Sequence, residues 1–239
     1  MKICKKYVFC SPKSGGSTLV ALNMAIQNQA LEMEKKIAYL QLSQFPDAHV
    51  YASIPKKRTI LDLKNFLDKK EFTKNILYEV AQKCGVDCFL SPQKKDWSKL
   101  KTTSLQEIIQ VLEQEYDTLY FDISLSLENE FLEYCFDEAQ KIVLVSFFSP
   151  PNLAAAESFF DIYQNFLSKV YLLFNQCPTE SDSLIKKSVK NREINYLGIL
   201  PIEEKYMWEQ VFNSRLLAFE KKSKWSQSLL KILKTNFLS

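Results

Sequence analysis

Short apolar runs rich in Val, Ile, Tyr and Phe recur along the chain at residues 7–10, 37–42, 118–123, 142–147, 170–174 and 197–200. Between them lie stretches of helical periodicity, at 18–32, 59–67, 71–83, 104–115, 128–138, 151–167, 203–213 and 223–236. A short run that is apolar at nearly every position marks a strand buried on both faces, whereas a helix shows one apolar stripe. Their alternation predicts βαβ units and therefore an α/β three-layer sandwich, with a mainly parallel central sheet flanked by helices. In an open sheet of this kind ligands bind beyond the carboxyl ends of the strands, which is where Ser11 to Ser17, Asp122 and Asn175 would converge. No composition shift, repeat or Pro/Gly/Ser-rich linker divides residues 1–239, so a single domain is expected.

The first run and the helix after it enclose Ser11-Pro-Lys-Ser-Gly-Gly-Ser-Thr18. A strand, a glycine turn and a helix in that order form a phosphate-binding loop when backbone N–H groups face the anion, a lysine reaches the outer phosphates and a Ser/Thr hydroxyl holds Mg²⁺. Here Gly16 stands where that lysine would be, immediately before Ser17 and Thr18. The same residues also read as an ordinary strand-to-helix turn, with Ser17 or Thr18 capping the helix.

The loop nevertheless resembles the deviant Walker A motif of the MinD/ParA family, Lys-Gly-Gly-x-Gly-Lys-Thr/Ser. Without a gap, Ser11 falls at the signature lysine, Pro12 and Lys13 at the paired glycines, and Gly16 at the Walker lysine; with one deletion, Lys13 becomes the signature lysine and Gly16 or Ser17 still replaces the second. Lys36 to Asp47 and Ile54 to Leu63 resemble the second strand and following segment of the CpaE/TadZ pilus-assembly branch, with Gln41 and Ser43 in the places of two aspartates. Tyr116 to Ser126 is similar to the family's "Tyr-Asp-x-Val-x-x-Asp-x-Pro", which puts Asp122 at the aspartate of the Mg²⁺ shell. Lys141 to Leu153, Val170 to Asn175 and Leu197 to Pro201 continue the likeness in order. The resemblance implies a P-loop NTPase-like fold and ATP with Mg²⁺ as cofactors. It places phosphate and nucleotide contacts at Ser11, Lys13, Ser14, Gly15, Gly16, Ser17, Thr18 and Asn175, the last against adenine, and it places Mg²⁺ at Ser17 and Asp122. Asp122 would be the catalytic residue only if hydrolysis occurs.

Composition bears on that condition. Only four glycines are present, which is sparse for a chain that closes its backbone around nucleotide. Thirty-one Lys and Arg against twenty-eight Asp and Glu leave a net charge of +3, and the lysine clusters read as solvated faces, so no nucleic-acid partner is expected. Six scattered cysteines read as reduced, partly buried thiols; Cys84 and Cys88 have a spacing suited to two metal ligands, but with no second Cys/His pair and His49 as the single histidine, no zinc site is expected. The same scarcity removes histidine-based acid–base chemistry.

Residues 1–10 lack a long apolar core and no apolar run approaches the roughly 20 residues of a membrane span, so a cytoplasmic protein is expected. Trp225, Leu229, Leu233 and Phe237 form one stripe of a basic terminal helix. Residues 223–238 would either dock on the sheet or contact the inner face of the membrane peripherally. Loss of the loop lysine and of the strand-two aspartates removes most of the charge that promotes phosphoryl transfer. The expectation is a degenerate MinD/ParA-like scaffold or localisation component of a pilus or secretion machine, a homodimer, with weak or no ATP hydrolysis. Two alternatives stay open: an active ATPase that positions chromosomes, plasmids, flagella or division proteins, and an interaction module that no longer binds nucleotide.

Overall fold

A computed structural model describes residues 3–190, 194–212 and 216–238. The apolar runs become strands β1 (Lys5–Cys10), β2 (Ile37–Leu42), β5 (Thr118–Ile123), β6 (Lys141–Phe147), β7 (Val170–Cys177) and β8 (Asn195–Pro201), and a small hairpin supplies β3 (Gln82–Lys83) and β4 (Asp87–Phe89). They form one sheet in the order β3-β4-β2-β5-β1-β6-β7-β8. Every pairing is parallel except β3 with β4.

Side chains alternate across a strand, so β1 sends Val8 and Cys10 to one face and Tyr7 and Phe9 to the other, and all four are buried. The first face packs beneath α3 (Ile60–Asp68), α4 (Lys74–Val80), α6 (Thr102–Glu115), α7 (Asn129–Glu138), α8 (Pro150–Ile162) and α9 (Asp182–Lys190). The second packs beneath α1 (Ser17–Leu31) and α11 (Lys224–Asn236). The remaining helices, α2 (Ala48–Tyr51), α5 (Lys94–Trp97) and α10 (Glu204–Phe212), lie in the connections. This is the three-layer α/β sandwich expected from the alternating pattern, with a sheet buried on both faces.

Two expected helices are shorter than their periodicity suggested. The one expected over 71–83 stops at Val80, because Ala81 turns extended (φ −60°, ψ 134°) and Gly85, at φ 89°, reverses the chain into the β3–β4 hairpin. The one expected over 151–167 stops at Ile162 and tightens into a 3-10 turn over Gln164–Lys169. The terminal helix docks on the sheet. Trp225, Leu229, Ile232, Leu233 and Phe237 are all buried, so the apolar stripe that could have met a membrane is spent on the core. No helix among the described residues is long and apolar enough to cross a membrane.

Candidate functional site

The carboxyl ends of β1, β2 and β5 open into a cavity of about 330 Å³. One wall is the loop from Ser11 through Gly16 with the first turn of α1, including Ser17, Thr18 and Leu19; the others carry Ser43, Phe45, Asp47 and Tyr51 after β2, and Asp122 to Leu125 at the end of β5. The loop depends on its two glycines. A Cβ on Gly15 would sit 2.3 Å from the Val145 carbonyl oxygen and 2.5 Å from Ser11 Oγ. Gly16 is left-handed (φ 81°), and a Cβ there would sit 2.6 Å from Asn175 Nδ2. The Ser11 hydroxyl donates to the Lys13 carbonyl and tightens the same turn. No side chain caps the start of α1, so its first N–H groups are left for solvent or for an anion in the cavity.

Asp122 is the most densely bonded group of the site. Buried at the end of β5, it accepts hydrogen bonds from Thr18 Oγ1 and Tyr39 OH, both at 2.8 Å, and from Ser17 Oγ at 3.3 Å. Burial, reinforced by the nearby Asp47 carboxylate, pushes its pKa up to about 6; the hydroxyl donors offset this only in part. Asp47 accepts from Gln41 Nε2 at 2.9 Å and from Thr18 Oγ1 at 3.3 Å, and burial raises its pKa as well. Thr18 therefore bridges two carboxylates. Lys13, exposed at the rim, is the single cation among the described residues that line the cavity.

Eight of the nine residues expected at the site line this cavity: Ser11, Lys13, Ser14, Gly15, Gly16, Ser17, Thr18 and Asp122. Asn175 does not. Buried in β7, it donates from Nδ2 to the Gly15 carbonyl at 3.0 Å and accepts at Oδ1 from Trp225 Nε1 at 2.9 Å, so its amide ties the loop to α11. Gln41 and Ser43 stand at the end of β2 as expected, Gln41 in register with Asp122. Asp47, Tyr39 and Phe45 were not among the expected site residues. The glutamine at position 41 is the signal that bears on Asp47, since a buried amide at a strand end needs a polar partner.

A cation fits the donor set in part. Ser17, Thr18, Asp122 and Asp47 offer hard oxygen ligands of the kind Mg²⁺ takes. Among the described residues no group of three or more His, Cys, Asp or Glu gathers to hold a metal, so a bound cation would rely on hydroxyls and on oxygens of its own ligand.

The chain matches no protein-family model and no curated protein sequence. Solved structures do match it over nearly its full length. A ParA family ATPase from Chlorobium tepidum TLS superposes with a TM-score of 0.82 at 18% identity, covering 97% of this chain and 98% of that one. The fold is that of the ParA and MinD ATPases. The MinD of the Aquifex aeolicus MinC:MinD cell division complex superposes with a TM-score of 0.77 at 14% identity, covering 97% and 95%. The septum site-determining protein MinD of Pyrococcus horikoshii OT3, complexed with Mg-ADP, gives 0.74 at 14%, covering 99% and 97%. The ParA/MinD fold therefore persists here although few residues are shared.

Proposed function

We propose that this chain is a ParA/MinD-fold scaffold or localisation component, of the CpaE/TadZ pilus or secretion type, whose loop can still receive the phosphates of Mg-ATP but hydrolyses ATP weakly or not at all. The observation that carries the reading is Gly16. In the ungapped likeness it falls at the Walker lysine, and its left-handed backbone, with a Cβ position 2.6 Å from Asn175 Nδ2, disfavours a side chain there. Lys13 offers one charge at the rim, and the two carboxylates accept hydrogen bonds from the hydroxyls of Ser17, Thr18 and Tyr39 and from the Gln41 amide.

The parts that remain favour binding over turnover. The uncapped N-terminus of α1 attracts anions through its N–H groups and dipole. Ser17, Thr18, Asp47 and Asp122 would hold Mg²⁺, which when bound neutralises phosphate charge. Phosphoryl transfer depends on positioning and on neutralising the γ-phosphate, and this loop lacks the lysine that does so. The MinD neighbour solved with Mg-ADP, and the one solved with MinC, support a nucleotide ligand and a protein partner here. A homodimer is part of the same reading.

Calorimetry with Mg-ATP on the full chain, with phosphate release followed in the same sample and Asp122→Ala as control, tests it. Saturable, Asp122-dependent binding without release is expected. Robust turnover would sink the proposal in favour of an active positioning ATPase, and no binding would leave an interaction module whose loop is a remnant.

A further inference from the structure

The edge of the sheet farthest from β8 carries two thiols that the cavity does not use. Cys84 follows β3 and Cys88 lies in β4. Lys83 pairs with Asp87 and Gln82 with Cys88, and the Cys84 N–H donates to the Val86 carbonyl at 3.2 Å. This register puts both cysteines on one face of the hairpin, on a diagonal. Gly85, left-handed between them, reverses the chain in so few residues that the two Sγ atoms lie 2.8 Å apart, one S–H donating to the other sulfur. Cys88 is buried against the α1 side of the sheet, whereas Cys84 is half-buried and flanked by exposed Lys83 and Gly85. A reachable thiol thus stands in front of an enclosed one.

We propose that Cys84 and Cys88 are a redox-sensitive dithiol that a low-molecular-weight disulfide, such as glutathione disulfide, converts to an intramolecular disulfide. The nucleophile is Cys84: the hydrogen bond from Cys88 holds its thiolate below the ordinary range, while burial pushes Cys88, Cys10, Cys135 and Cys177 above it. The Cys84 thiolate bonds to one glutathione sulfur, the glutathione S–S bond breaks, and one glutathione thiolate leaves. Cys88 then gives its proton to water and attacks the Cys84 sulfur, forming the Cys84–Cys88 bond and expelling the second glutathione. Two protein thiols are oxidised and one glutathione disulfide is reduced to two thiols.

The test treats the reduced full-length chain with glutathione disulfide near neutral pH, quenches with acid, unfolds, alkylates with iodoacetamide and reads intact and peptide masses. With six cysteines in the chain, the expected product takes four alkyl groups, retains no glutathione, and loses its two labels at Cys84 and Cys88. Cys88→Ser should instead stop at a glutathione adduct on Cys84, and Cys84→Ser should leave Cys88 alkylatable. Six alkylations in the treated wild type would overturn the proposal. So would a glutathione adduct that persists on wild-type Cys84, or labels lost at other cysteines. None of these readouts depends on the cavity binding nucleotide.

Discussion

Replacing Asp122 with asparagine should stabilise the protein near neutral pH. The folded state raises this carboxyl from an ordinary 3.8 to about 6, chiefly by burial. The sign follows from proton linkage. Between those two values the folded chain holds a proton that the unfolded chain has lost, so stability falls as pH rises from about 4 to about 6 and then levels off. At 1.36 kcal/mol per unit, the ionised carboxylate costs about 3 kcal/mol at neutral pH. Asparagine keeps the shape, its oxygen in the place of Oδ2 accepts from both Thr18 and Tyr39 while its NH₂ faces the Ser17 hydroxyl, and it carries no charge. For a domain of this size each kcal/mol moves the melting temperature by about 2–4 °C, so Asp122→Asn should melt on the order of 6–12 °C above wild type at pH 7.5. The gap should close toward pH 4. Thermal denaturation followed by circular dichroism across this range reads it directly, and saturating Mg²⁺ should raise the wild type toward the variant if a cation binds between the carboxylates. An Asp122→Asn protein that is equally or less stable than wild type at pH 7.5 would refute the claim that this carboxylate lacks a compensating charge.

Restoring the lysine should not restore a Walker loop. Gly16→Lys forces a side chain into a left-handed residue and against Asn175, and urea unfolding should show a loss of at least about 1–2 kcal/mol without a gain in phosphate release. Trp225→Phe removes the donor to Asn175 Oδ1 and strands a buried acceptor, a cost of about 1–3 kcal/mol by chemical denaturation, with the loop's amide exchange rising in parallel. Leu229→Ala, in the docked stripe of α11, should cost about 2–5 kcal/mol by the same measurement; a near-neutral change would mean that the stripe is not part of the core.

Much of the architecture was legible because burial writes itself into local pattern. Apolar runs such as Tyr7 to Cys10 and Leu119 to Ile123 can be satisfied only inside a sheet covered on both faces, and the glycine turn at 15–16 announced a tight strand-to-helix connection wherever it came to lie. The β3–β4 hairpin was not legible: strands of two and three residues are too short to show a period, and the helical pattern running into them hides the break at Ala81. Helix α9 was missed because, among its described side chains, the charged Asp182–Lys190 sequence buries a narrow stripe, Ile185 and Val189.

The site divides along the same line. Ser11 to Thr18 and Asp122 could be placed together from chain order alone, since parallel strands deliver their carboxyl ends to one edge. What each side chain meets there was decided by contacts between distant segments. Asn175 bonds Gly15 and Trp225, 160 and 50 residues away, because α11 packs against β8 and α1 and its first turn brings an indole donor to the amide. Asp47 bonds Gln41 and Thr18 because the connection after β2 folds back toward α1. A sequence states which groups are available; whether a buried carboxylate faces a cation, a hydroxyl or another carboxylate depends on which surfaces close over it, and that is settled only when the whole sheet and its helices pack.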